Sequence, residues 1–112
     1  MQYRIQRIEK AIVLMIEGKL LSEHETTPMR DQIINELKNG IIKFIIDLKD
    51  VEFVNSAFLN FLVSAKKLVT AQKGMIVLCN VPEQLKKLLS ITKLESFFYT
   101  ANRTSDAIAI LK

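Results

Sequence analysis

The segment "IIKFIIDLKDVEFVNSAFLNFLVSAKKLVTAQKGMIVLCN", residues 41–80, decides the fold because its hydrophobic period changes twice. Residues 41–48, "IIKFIIDL", are apolar at almost every position and rich in β-branched side chains. A strand with one wet face would alternate, so a continuous run predicts a strand covered on both faces of a parallel or mixed sheet. After the connection "KDVEFV", the residues Phe58, Phe61, Leu62, Ala65, Leu68 and Val69 form one stripe at helical spacing, which predicts a helix from 56 to 72. Gly74 closes that helix, and "MIVLCN", residues 75–80, reads as a second buried strand.

The flanks extend the same alternation. Residues 3–8, "YRIQRI", and 11–16, "AIVLMI", are two strands separated by Glu9 and Lys10, which predicts a hairpin. Gly18 breaks the second of them, and "SEHETTP" offers several helix caps, with Pro28 blurring the start. Met29, Ile33, Ile34 and Leu37 then recur at helical spacing, opposite Asp31, Gln32, Asn35 and Lys38, until Asn39 and Gly40 end the helix. Beyond residue 80, Pro82 suits a first helical turn, Leu85, Leu88 and Leu89 mark a third helix, "SFFYTA" at 96–101 a short strand, and "TSDAIAILK" a closing helix. The expected fold is α/β, ordered β-β-α-β-α-β-α-β-α, with a mixed sheet of about five strands and about four helices joined by right-handed crossovers. With no linker, low-complexity segment or repeat, residues 1–112 are expected to form one domain.

Composition removes several function classes. At 49% apolar and 25% charged residues the chain has an ordinary globular mixture, and folding at this length buries roughly 65% of the unfolded surface. The single Cys79 lies within an apolar run, which predicts a buried, reduced thiol. His24 has no second His and no neighbouring Cys with which to hold zinc, and neither a metal nor another cofactor is expected. The charge of +4 comes without Trp, an Arg cluster or aromatic–basic interleaving; Lys66–Lys67 and Lys86–Lys87 read as solvated helix faces rather than a nucleic-acid surface. No apolar stretch is long enough to span a membrane and "MQYRIQRIEK" lacks a secretory core, so the expected location is the cytoplasm. The acceptor pattern "NRT" at 102–104 is then coincidental.

Asn55 and Ser56 stand where the buried strand hands over to the long helix. Asn55 is a first-rank N-cap, whose side-chain oxygen can accept from the free amides of the first turn. Ser56 is then at least a small polar residue of that turn. A helix N-terminus also carries roughly half a positive charge, so it can bear a phosphate whose own charge is about −1.5 to −2. Such a group would alter what the surface binds without unfolding it.

Residues 44–80 resemble the central region of STAS domains, the family of bacterial anti-sigma factor antagonists. In that family a buried strand and a hydrophobic–Asp–Ser–Ser/Thr–Gly–Leu corner precede a long helix, a Gly and an apolar strand. Gly18 in "EGKL" and "VPEQLKKLLSITKLESFF" extend the likeness over nearly the whole chain. The resemblance implies a binding module that occupies an anti-sigma factor, often a serine kinase, and so releases a sigma factor. It further implies that the kinase phosphorylates the matching Ser56, which breaks the complex, and that a phosphatase reverses this. Three positions depart from the pattern: Asn55 replaces Asp, Ala57 the second hydroxyl, and Phe58 the Gly. Asn55 and Ala57 are the candidate corner residues, while Phe58, Asn60, Val63 and Lys67 are candidate partner contacts; Phe58 belongs equally to the core stripe.

Two other readings compete. One is an unphosphorylated STAS subunit of a lipid-transport or transporter assembly. The other is an enzyme or phosphoacceptor receiver built on Asp47, but the first strand offers no acidic pair and the three glycines form no phosphate loop. Catalysis is therefore not expected. Direct nucleic-acid binding and membrane insertion are not expected either, and self-association to a homodimer stays open.

Overall fold

The computed structural model describes residues 1–111. Five strands form one sheet in the order β1-β2-β3-β4-β5: β1 (Gln2–Ile8), β2 (Ala11–Gly18), β3 (Lys43–Val51), β4 (Met75–Cys79) and β5 (Tyr99–Ala101). β1 pairs antiparallel with β2 through the turn at Glu9, which takes a left-handed φ of 52°, and all other pairs are parallel. The helices are α1 (Thr27–Lys38), α2 (Ser56–Ala71), α3 (Glu83–Ile91) and α4 (Thr104–Leu111). Lys112, assigned to the last helix from sequence, lies outside the described residues.

Because successive parallel strands advance in one direction across the sheet, crossovers of one hand put their helices on one face. That face carries the larger core, where Ile12, Leu14, Ile16, Phe44, Ile46, Leu48, Ile76 and Leu78 meet side chains of α1, α2 and α3. Alternate residues of the same strands, Val13, Ile45, Val77 and Cys79, pack on the opposite face against Ala107 and Leu111 of α4. Continuous apolar runs are what such double coverage requires. Burial pushes the Cys79 thiol upward in pKa, against a smaller opposing effect of the Thr104 hydroxyl 3.6 Å away, and the nearby Asp47 charge adds to the rise.

The elements depart from the sequence reading at their ends. β3 starts two residues late and runs on to Val51, because a register shift between Met15 and Glu17 of β2 lets Asp50 and Val51 keep pairing. The segment read as a strand from 96 is a 3-10 turn at Glu95–Phe97, and strand pairing begins only at Tyr99, opposite Val77. A second 3-10 turn, Glu23–Thr26, leads into α1, with Pro28 in the first turn. Asp47 sits within β3, accepting from Asn80 Nδ2 at 2.9 Å and from the Lys49 amide at 3.0 Å. Lys66 is not simply solvated: its ammonium lies 5.4 Å from the Phe97 ring centre and 5.3 Å from that of Tyr99.

Glu36 on α1 is the buried charged residue among those described. Both its oxygens accept from Arg7 of β1 at 2.9 Å, and Gln32 Nε2 donates to it at 2.8 Å. The hydrogen bond from Arg7 holds the Glu36 carboxyl below its ordinary pKa, outweighing burial, which acts the other way. A depressed folded-state pKa contributes stability that is complete above the unfolded value of about 4.3 and is lost as pH falls through the folded one. Urea midpoints of the wild-type protein are therefore expected to fall between about pH 5 and about pH 3, with the Glu36→Gln variant losing part of that dependence. Gly74 is fixed by space: a Cβ there would collide with the Ile42 carbonyl and the Val69 side chain. Gly74→Ala is expected to lower unfolding free energy by about 1–3 kcal/mol in urea denaturation.

Candidate partner-binding surface

Four residues, Glu52–Asn55, carry the chain from β3 to α2, and each end of this loop is tied. The Glu52 amide donates to Gly18 O at 3.0 Å, joining the loop to the end of β2. The Val54 amide donates to Gln84 Oε1 on α3 at 3.4 Å. Asn55 is extended, with φ −135° and ψ −179°, and its Oδ1 accepts from the Phe58 amide at 2.9 Å. This is the cap geometry that an Asn at this position can supply, and Leu59 N donates to Asn55 O at 3.1 Å as the first helical bond.

Ser56 is the first residue of α2 and is exposed, while Ala57 is half-buried. Among the described residues, none accepts from the Ser56 and Ala57 amides, and the first turn contains no acidic side chain. On its own helix the positive end is therefore met only by the uncharged Asn55, while Glu23 of the 3-10 turn lines the groove beside Ala57 and Asn60. Phe58 is fully buried and its ring centre lies 6.0 Å from that of Phe61. The expectation that Phe58 touches a partner is corrected here: the position falls on the stripe with Leu62, Ala65 and Val69, and its ring has no surface to offer. Leu59 is also buried, whereas Leu68, read as core, is only half-buried.

Asn60 and Lys67 are exposed and Val63 is half-buried, so the structure brings these three onto one outward side of α2 with Ser56. Two grooves flank that side. One, of about 460 Å³, runs along Asn60, Val63, Ser64, Lys67 and Ala71. The other, of about 340 Å³, separates Ala57, Asn60 and Ser64 from His24, Thr27 and Arg30. Two exposed apolar side chains escaped the sequence reading: Phe53, 46% exposed in the loop before Asn55, and Leu21, 83% exposed after β2. The available signal for Phe53 was an aromatic residue in the short connection between the strand and the helix, outside both periodic runs.

The STAS domain family model matches residues 2–107, and the chain belongs to the STAS domain family. A Thermotoga neapolitana protein named as a candidate anti-sigma factor antagonist is 26% identical over 103 residues, covering 91% of each chain. The crystal structure of a candidate anti-sigma factor antagonist from Thermotoga maritima superposes with a TM-score of 0.85 at 22% identity, over 97% of this chain and 93% of that one. The Bacillus cell fate determinant SpoIIAA in its phosphorylated form gives a TM-score of 0.79 at 17% identity, over 99% of this chain and all of that one. The fold is thus that of a STAS domain, shared with SpoIIAA in its phosphorylated and unphosphorylated forms. No helix among the described residues is long and apolar enough to cross a membrane.

Removing the cap tests the geometry of the corner. Asn55→Ala is expected to cost about 1 kcal/mol of stability in urea denaturation, and Asn55→Asp, which keeps the acceptor oxygen, to recover most of it.

Proposed function

We propose that the protein is an anti-sigma factor antagonist that binds its partner through the Ser56 corner and the outward side of α2, and that phosphorylation of Ser56 releases the partner. The observation that carries this reading is an exposed hydroxyl at a helix N-terminus with two free amides and no nearby acid on its own helix. A phosphate is stabilised there by the helix dipole and by those donors, so the modified protein stays folded. The contrast is large because Lys66 and Lys67 are the charged residues of α2, leaving Ser56, Asn60, Val63 and Ser64 as an uncharged surface. A partner that desolvates such a surface would also bury the doubly charged group, at a severe cost when nothing pairs with it. Phe53 supplies an apolar anchor beside the hydroxyl, and Asn60, Val63 and Lys67 supply the continuation along the helix.

The names of the relatives support an anti-sigma factor as the partner, and the phosphorylated form of SpoIIAA supports a modifiable residue within this fold. A partner with serine-kinase activity would couple binding to its own release. The departures at Asn55 and Ala57 keep the cap and leave a single acceptor hydroxyl, so modification is confined to Ser56.

Incubation with the cognate anti-sigma factor and ATP, followed by intact-mass measurement, should add one phosphate to the wild-type chain and none to Ser56→Ala. Titration calorimetry should show Ser56→Ala binding as wild type and Ser56→Asp weakened by more than about tenfold. An unchanged mass together with a Ser56→Asp variant that binds normally would remove the switch and leave an unregulated binding module.

A further inference from the structure

The last two parallel strands send the chain to opposite faces of the sheet. From β4 the loop at residues 80–82 leads to α3, whose Leu85 and Leu89 join the larger core. From β5 the loop at residues 102–103 leads to α4, whose Ala107 and Leu111 cover the other face. β4 and β5 are neighbours, so their outgoing loops part at the carboxyl ends of the strands and a crevice opens between them. In open parallel sheets such a divergence is where ligands bind. A pocket of about 340 Å³ occupies that place, lined by Asn80 and Val81 from the first loop and by Thr100 and Asn102 from β5 and the second. Asn80 takes a left-handed φ of 53°, and its Nδ2 donates to Asp47 Oδ1 at 2.9 Å, which fixes the carboxamide and leaves its oxygen as an acceptor.

The rest of the lining selects the occupant. Lys86 of α3 and Glu95 of the 3-10 turn bring one ammonium and one carboxylate, both exposed, and buried Leu89 adds an apolar wall beside Val81. A site with one charge of each sign suits a ligand with one charge of each sign. A single lysine is too little for the several charges of a nucleotide, and an uncharged sugar would leave both charges unused and meet the apolar wall poorly. We infer that the crevice binds a small α-amino acid with an apolar side chain. Its carboxylate meets Lys86, its ammonium meets Glu95, and its side chain lies against Leu89 and Val81, while the carboxamides of Asn80 and Asn102 hydrogen-bond its polar end. Lys86 otherwise meets Glu83 at 3.4 Å, but both are exposed, and a surface pair of this kind is readily exchanged for a ligand carboxylate. None of these residues belongs to the Ser56 corner, so the inference does not rest on the proposed function.

The test follows the backbone and side-chain amide signals of Asn80 and Asn102 by heteronuclear NMR while L-alanine, L-valine, L-leucine and L-methionine are added in turn to the full chain. These signals should shift and saturate for at least one of the four, with a dissociation constant of about 1 mM or below. The methyl ester of that amino acid, which lacks the negative charge, and its N-acetyl form, which lacks the positive one, should each bind about tenfold more weakly. Lys86→Met should abolish the discrimination against the ester alone, and Glu95→Gln the discrimination against the N-acetyl form alone. A general loss of structure would not give that crossed pattern, and circular dichroism checks that both surface variants keep the fold. If none of the four amino acids moves these signals, or if the blocked forms bind as well as the free one, the inference is overturned. Discrimination that survives both substitutions overturns it as well.

Discussion

The corner between β3 and α2 depends on Phe58, which is held from two directions. Its amide donates to Asn55 Oδ1 at 2.9 Å, and its ring is fully buried beside Phe61. The hydrogen bond fixes where the helix begins; the ring fixes how the helix is rotated about its axis. With both set, helical geometry leaves Ser56, Asn60, Val63 and Lys67 on the outward side. The display of the hydroxyl therefore follows from burial two residues away. A residue that appeared in the family comparison to disturb the corner is what orients it.

Most of the architecture was readable because its signals are local or periodic. The β3 run demanded cover on both faces, and the structure supplies α1, α2 and α3 on one and α4 on the other. The Asn55 cap was readable because it involves a side chain and an amide three residues apart. Phe58 was readable too, since its spacing to Leu62, Ala65 and Val69 already assigned it to the core; only the likeness to a family glycine drew it toward the surface. What stayed hidden depends on distant chain. Glu36 looks like any helix-surface acid until Arg7, 29 residues away, is seen to pair with it. The start of β5 depends on where β4 offers partners, and Phe97 and Phe98 pack edge to face at 5.0 Å instead of extending as a strand.

The surface divides labour by charge. The outward side of α2 is uncharged from Ser56 to Ser64 and carries one cation, Lys67, further along, while Arg4 and Arg7 stand on the sheet edge and Lys66 lies over two aromatic rings. The overall charge of +4 is thus a poor guide to the face proposed to meet a partner.

Cys79 gives the molecule a built-in reporter. It is the sole thiol, it is wholly enclosed between the sheet and α4, and its surroundings keep it protonated. It ends β4 one strand in from the edge, opposite Ala101 of β5, so an alkylating reagent reaches it when α4 or the short β5 strand moves away. The labelling rate of the unmodified chain therefore reads how often the α4 side of the sheet opens, with no fluorophore or engineered residue.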